Sequence, residues 1–271
     1  MCISPGRTWI NTKDAFGRPL RKTLDYNCGK CFECRNNKVK EWQVRLLLEQ
    51  SLVKHSYFVT LTYTNPPLKW IDDCTPVPVL VKRDIQLWLK KMRKKYTLRY
   101  FVLGEYGDHT RRPHYHAVLF SNDVIERQVV HSTWNLGLIR MDSLNPGRAA
   151  YVAKYHATPD DTVKEFRMMS TNPGLGTGYV IDADGNVKDD ERYQWHRKHT
   201  DNGYIRIQGI KYNIPRFIKK KIYSSDELRE AYENRPLDPK GMDKVEFDFK
   251  EYSRYLEKKR HDMIRKRKGI L

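Results

Sequence analysis

Residues 112–120 read RPHYHAVLF, a stretch in which two histidines begin a run of apolar residues. A short apolar run of this kind predicts a buried β-strand. Because side chains alternate between the two faces of a strand, His114 and His116 are expected on the same face. Two imidazoles side by side on a rigid sheet can bind one divalent metal ion.

The preceding segment offers a third metal ligand. Residues 99–106 predict a strand, and a hairpin between the two strands would bring Glu105 beside the histidines. Two imidazoles and one carboxylate leave coordination positions open for water and a phosphate oxygen, and they suit Mn²⁺ or Mg²⁺. The alternative is that His114 and His116 are ordinary histidines at a strand edge and that Glu105 is exposed. A His-x-His pattern alone does not decide, because the chain contains nine histidines.

A tyrosine pair lies further along the chain. Pro146 is typical of a helix start, and residues 147–156 predict the helix that follows. Tyr151 and Tyr155 then share one helical face, with Lys154 beside them. A phenol with a pKa of about 10 attacks phosphorus poorly, so it needs help from a metal ion on the phosphate or from a nearby cation such as Lys154. The alternative is that both tyrosines are packing residues and that Lys154 is a surface charge.

The overall charge favours a nucleic-acid partner. The chain has 51 Lys and Arg against 33 Asp and Glu, a net charge of +18, and it also contains 17 Tyr, 9 Phe and 6 Trp. Basic residues interleaved with aromatic ones suit single-stranded nucleic acid, although a solvated charged surface is the other interpretation. No apolar run reaches the length of a membrane span and no signal peptide is recognisable, so we expect a soluble intracellular protein without a membrane partner.

The cysteines form a second candidate metal site. Three of the five cysteines, Cys28, Cys31 and Cys34, share the segment CGKCFEC. In a reducing compartment such spacing favours a metal ion over disulfides, and Cys2 could complete a four-thiolate zinc site. The alternative is a group of reduced structural thiols, because the two separated ligand pairs of most zinc sites are missing. Cys74 is not expected to take part.

The pattern of helices and strands divides the chain into three parts. Residues 1–35 form an N-terminal segment that carries the cysteines and is irregular up to residue 27. Residues 36–158 alternate helices with strands that can pair antiparallel, which predicts an α+β core. Residues 159–271 form a C-terminal extension that is mixed at first and then helical and basic.

Three motifs of the core occur in a familiar order: FVTLTY at residues 58–63, RPHYH at 112–116 and YVAKY at 151–155. In this order they resemble the motifs of HUH endonucleases, which include rolling-circle replication initiators, relaxases and some transposases. Together with CGKCFEC and GEYG (104–107), they are similar to the replication initiators of the gokushovirus group of microviruses. The segments NPGLG (172–176) and IPRF (214–217) extend this resemblance beyond the core.

The resemblance implies a ferredoxin-like antiparallel sheet with helices mainly on one face. It implies His114 and His116 as ligands of a divalent cation, Glu105 as the third ligand, and Tyr151 and Tyr155 as nucleophiles. The implied activity is nicking of single-stranded DNA at a phage origin, through a 5′-phosphotyrosine link that is later resolved by rejoining. Which tyrosine attacks first stays open.

The resemblance also places the chain in the cytoplasm of a bacterial host, in rolling-circle replication. The sequence contains no Gly-x-x-x-x-Gly-Lys-Ser/Thr phosphate loop, so we expect a host helicase and host replication proteins as partners. Two alternatives remain. One is an HUH relaxase or transposase, and the other is a non-catalytic, zinc-stabilised nucleic-acid-binding protein.

Overall fold

The computed structural model describes residues 5–13, 16–70, 76–107, 112–157, 166–182, 184–198 and 204–233. In chain order, its elements are β1 (Gly6–Lys13), β2 (Pro19–Tyr26), α1 (Phe32–Gln50), β3 (His55–Thr62), β4 (Leu68–Trp70), β5 (Pro76–Pro78), α2 (Lys82–Arg93), β6 (Leu98–Tyr106), β7 (Pro113–Ser121), α3 (Arg127–Thr133), β8 (Ile139–Ser143), α4 (Pro146–Ala157), β9 (Phe166–Met169), a 3₁₀ turn (Thr177–Tyr179), α5 (Glu191–Lys198), β10 (Tyr204–Ile207), β11 (Ile210–Asn213), α6 (Arg216–Ile222) and α7 (Ser225–Glu233). The chain forms two compact units, one of Met1–Asn37 with Asn234–Leu271 and one of Lys38–Glu233.

The first unit contains an antiparallel hairpin of β1 and β2. The prediction that residues 1–27 are irregular was therefore wrong. Gly17 adopts a left-handed φ of 78° in the connecting turn, a conformation that glycine accepts without strain. The apolar side chains of this hairpin, among them Trp9 and Leu20, are exposed, so no alternation of buried and polar positions identifies the strands.

The second unit is organised around a five-stranded sheet with the order β8-β3-β7-β6-β9, in which all neighbours are antiparallel. The succession β3-α2-β6-β7-α3-β8 is the βαββαβ arrangement of ferredoxin-like folds. The predicted α+β class with an antiparallel sheet is thus confirmed. The edge strand β9 continues the sheet beyond residue 158.

Helices cover both faces of this sheet. One face packs against α2 and α3 through residues such as Trp88 and Val130. The opposite face packs against α1 and α4 through residues such as Leu47 and Val152. The expectation of helices mainly on one face therefore holds for α2 and α3 and was wrong for the sheet as a whole. The central strand β7 is buried at nearly every position, so both of its faces need apolar cover.

Within the described ranges, none of the helices has the length and apolar character needed to cross a bilayer.

The core around β3 gives a stability prediction. Leu61 is fully buried between β3, α2 and α3. Leu61→Ala is expected to lower the free energy of unfolding by about 2–5 kcal/mol, because the substitution removes apolar contacts and leaves a cavity. Leu138→Ala, at a side chain that is 71% exposed, is the control and is expected to change it by less than about 0.5 kcal/mol. Equal losses in urea denaturation of both variants would contradict this account of the core.

Candidate active site

The hairpin of β6 and β7 brings the three candidate metal ligands together. Glu105 on β6 pairs directly with His114 on β7, and His116 lies opposite Thr60 of β3. This pairing confirms the hairpin expected from the sequence. All three side chains lie on the sheet face that α1 and α4 cover, because they alternate with residues that face α2 and α3.

The carboxylate of Glu105 lies between the two imidazoles. Its Oε1 atom is 2.8 Å from His114 Nε2 and 2.9 Å from His116 Nε2. The possible ligand atoms of these three residues lie within 4.8 Å of one another. Glu105 is only 2% exposed. Burial alone would raise the pKa of Glu105, but hydrogen bonds from His114 and His116 outweigh it and lower the pKa to about 2, so the group is a carboxylate.

The outer nitrogen of each imidazole is also held in place. His114 Nδ1 is 3.1 Å from the carbonyl oxygen of Arg112, which can only accept, so Nδ1 carries the hydrogen and donates it. His116 Nδ1 is 3.1 Å from Thr60 Oγ1. Partners of this kind orient metal-binding histidines and leave Nε2 directed at the metal ion.

Two observations test whether these residues fit a cation. Glu105 Oε2 is buried without a hydrogen-bond partner in the described part of the chain, and such an atom is costly unless something satisfies it. In addition, a carboxylate oxygen and an imidazole nitrogen that has no hydrogen repel each other at 2.8 Å unless a proton or a cation lies between them. A donor set of two imidazoles and one carboxylate therefore fits a divalent cation held by Glu105, His114 and His116.

Helix α4 places Tyr151 at this cluster. The helix begins at Pro146, where the Asn145 side chain accepts a hydrogen bond from the backbone N–H of Arg148 at 2.9 Å. Its buried residues Ala149 and Val152 pack against the sheet, which fixes the direction of the neighbouring side chains. The position of Tyr151 thus follows from the spacing of apolar and aromatic residues along the helix.

The hydroxyl group of Tyr151 contacts the candidate ligands. It donates a hydrogen bond to Glu105 Oε1 at 2.8 Å and lies 3.5 Å from His116 Nε2. The side chain is 39% exposed, so a substrate can approach it from solvent. Burial, the hydrogen bond with Tyr155 and the negative charge of Glu105 all raise the pKa of Tyr151. With protein groups alone, the phenol therefore keeps its proton.

Tyr155 and Lys154 lie next to this centre. The rings of Tyr151 and Tyr155 pack with their centroids 4.9 Å apart. Lys154 is exposed, and its ammonium group lies 5.5 Å from the centroid of the Tyr155 ring. The structure thus brings Tyr151 to the ligand cluster, while Tyr155 stands one helical turn further along and Lys154 stands beside Tyr155.

Sequence reasoning missed the residues that support His116. Phe58 stacks on the His116 ring with centroids 5.1 Å apart, and Thr60 contacts its Nδ1 atom. Both lie on β3, two residues apart and therefore on the same face. The FVTLTY strand carried this signal, because its alternation places Phe58 and Thr60 opposite the histidine strand.

Removal of the Thr60 hydroxyl gives a prediction about this supporting contact. Thr60→Val keeps the shape of the side chain but leaves His116 Nδ1 without its partner, so we expect the affinity for Mn²⁺ to fall by about 10–100-fold. Thr60→Ser should restore the affinity. The control is Thr62→Val, since the Thr62 hydroxyl donates to the Leu138 carbonyl instead. Calorimetric titration with Mn²⁺ measures the change, and equal affinities of the Thr60→Val and Thr62→Val variants would refute the role of Thr60.

The cysteine segment forms a separate cluster in the first unit. The Sγ atoms of Cys28, Cys31 and Cys34 lie within 4.8 Å of one another. Cys2, the predicted fourth thiolate, and Cys74 lie outside the described residues.

Comparison with known proteins connects this geometry to a family. Residues 56–160 match the family model of replication-associated proteins of the ORF2 type. The replication-associated protein VP4 of Bdellovibrio phage phiMH2K is 31% identical over 185 residues, which are 58% of this chain and 57% of that protein. The chain is a relative of phage replication-associated proteins. The resemblance seen in its motifs is thereby confirmed.

Two further relatives support the same relationship. The replication-associated protein ORF2 of Spiroplasma virus 4 is 28% identical over 68% of this chain and 65% of that protein. The replication-associated protein ORF4 of Chlamydia phage 1 is 23% identical over 81% of this chain and 60% of that protein. The matches therefore span less than two thirds of the length of each of the three relatives.

Proposed function

We propose that the chain is an HUH-type endonuclease and strand transferase that nicks single-stranded DNA at a phage origin and later rejoins it. The observation that carries this proposal is the position of the Tyr151 hydroxyl, 2.8 Å from the Glu105 oxygen that also contacts His114 and His116. A nucleophile beside a cluster of candidate metal ligands is the arrangement that metal-assisted phosphoryl transfer requires. The relationship to replication-associated proteins of phages supports the same reaction class.

The reaction exchanges one phosphodiester for another. The Tyr151 oxygen forms a bond to phosphorus, the bond between phosphorus and the 3′ oxygen breaks, and the proton lost by the phenol is balanced by the proton gained by the 3′ oxygen. The products are a 5′-phosphotyrosine and a free 3′ hydroxyl. Because the new ester conserves the energy of the broken bond, a 3′ hydroxyl can attack it later, rejoin the strand and release Tyr151.

The residues of the chain divide the work of this step. Glu105, His114 and His116 would hold Mn²⁺ or Mg²⁺, which supplies stabilisation of negative charge on the scissile phosphate and favours the ionised phenol. Glu105 Oε1 orients the Tyr151 hydroxyl through the observed hydrogen bond. Thr60 and the Arg112 carbonyl hold the imidazoles.

Tyr151 carries out the first attack in this proposal, because its hydroxyl group contacts both Glu105 and His116. Tyr155, packed against the Tyr151 ring, serves a second cleavage during strand transfer. Lys154 is exposed at the same end of α4 and contacts the phosphate of the incoming strand.

Single-stranded DNA at the origin is the substrate, and the infected bacterial cell is the place of action. The net charge of +18 favours binding to the phosphate backbone. A host helicase would unwind the duplex, and host replication proteins would extend the free 3′ hydroxyl. The replication-associated relatives of phages support this biological role.

The proposal is tested with labelled single-stranded oligonucleotides that tile the genome encoding the chain. In the presence of Mn²⁺, one oligonucleotide is expected to yield a labelled protein band that survives SDS and disappears after protease treatment. A protein that only binds nucleic acid would shift the oligonucleotide in a native gel and leave no such band. Cleavage without any protein-linked product would instead point to a hydrolytic nuclease, and either result would refute the proposed reaction.

A further inference from the structure

The three cysteines of the first unit form a cluster that the nicking reaction does not use. Cys28, Cys31 and Cys34 are reduced cysteines whose Sγ atoms lie within 4.8 Å of one another. Cys28 follows β2, and Cys34 is buried in the first turn of α1. Thiols gathered this closely without a disulfide are either an inert packed group or the ligands of one metal ion.

The distance between two of the sulfur atoms favours a single metal ion. Cys28 Sγ and Cys34 Sγ are 3.9 Å apart. Two thiolates on a tetrahedral zinc ion with bonds of about 2.3 Å are separated by about 3.8 Å. A disulfide would require about 2.05 Å. An iron–sulfur cluster would spread the sulfurs further apart, because each thiolate binds a different iron atom.

The backbone of this segment is arranged around the Cys28 sulfur. The backbone N–H of Cys31 donates a hydrogen bond to Cys28 Sγ at 3.3 Å. Gly29 adopts a left-handed φ of 72°, which turns the chain so that this bond can form. Hydrogen bonds to sulfur and the N-terminal end of α1 both favour the thiolate form, which is the form that binds metal.

We propose that Cys28, Cys31 and Cys34 bind a structural zinc ion that joins the end of β2 to the start of α1. The hairpin of β1 and β2 needs such a link. Its large apolar side chains are exposed, with Trp9 at 57% and Phe16 at 83%, and an isolated two-stranded hairpin is marginally stable in water. The free energy of metal binding becomes folding free energy in small segments of this kind.

Metal analysis of the full chain tests this site independently of the nicking reaction. After dialysis against Mg²⁺, the unsubstituted protein is expected to retain one equivalent of zinc. His116→Ala and Cys74→Ser should retain it as well, whereas Cys31→Ser should lose it. Zinc that stays in Cys31→Ser or leaves with His116→Ala would overturn the proposal, and so would iron in place of zinc.

Two measurements on the unsubstituted protein keep the proposal testable if Cys31→Ser does not fold. Replacement of zinc by Co²⁺ should produce a thiolate-to-cobalt charge-transfer band together with the strong visible absorption of tetrahedral cobalt. Treatment with a zinc chelator should also expose at least three further thiols to a thiol reagent. A cobalt spectrum without the charge-transfer band, or full thiol reactivity before chelation, would contradict zinc binding by these cysteines.

Discussion

Tyr151→Phe is expected to abolish the covalent DNA adduct and to lower the rate of nicking by at least about 10⁴-fold, since loss of a catalytic nucleophile has effects of this order or larger. The substitution removes only the oxygen atom that donates to Glu105 at 2.8 Å. The ring can stay packed against Tyr155, so the fold should be unaffected. Single-turnover assays with a labelled origin oligonucleotide and Mn²⁺ measure the loss.

Tyr155→Phe is the matched control for this experiment. It lies on the same face of α4 and removes the same atom, yet the first nick should continue within about tenfold of the original rate. Strand transfer that requires a second cleavage should be impaired in this variant. If Tyr155→Phe abolishes the first nick and Tyr151→Phe does not, the assignment of the attacking residue is reversed.

Glu105→Gln is expected to reduce nicking at limiting Mn²⁺ by about 10³-fold, because a metal ion contributes several kcal/mol of transition-state stabilisation and each 1.36 kcal/mol is a factor of ten. The substitution preserves the size of this buried side chain but removes the negative charge that lies between His114 and His116. The same reason predicts that chelation by EDTA stops the reaction of the unsubstituted protein.

Two comparisons separate loss of metal from loss of structure in this variant. Higher Mn²⁺ concentrations should partly restore Glu105→Gln, because the defect lies in cation affinity. Glu126→Gln, at an exposed glutamate that precedes α3, should behave like the unsubstituted protein. Full activity of Glu105→Gln at limiting Mn²⁺ would exclude this carboxylate as a ligand.

Much of the sheet and of the candidate site could be predicted from local sequence. The period-two pattern of side chains placed His114 and His116 on one face, and a hairpin with a neighbouring strand placed Glu105 opposite them. The spacing of four residues placed Tyr151 and Tyr155 together on α4. These features depend on periodicity over a few residues, which the sequence displays directly.

The remaining features depend on contacts between distant segments. Thr60 supports His116 from another strand, so no local pattern indicates its role. Helices α1 and α4 cover the second face of the sheet because β7 is apolar on both sides, and that requirement becomes visible only once the strand order is known. Strand β9 has four residues, too few to show alternation.

The most direct measurement of the central claim is mass-spectrometric mapping of the DNA-linked peptide. The adduct formed with Mn²⁺ would be digested by protease and nuclease, and the residue that carries the remaining nucleotide would be identified by fragmentation. The account predicts a 5′-linked nucleotide on Tyr151, the phenol next to Glu105, His114 and His116. A nucleotide attached to any residue outside the Tyr151–Tyr155 pair would contradict it.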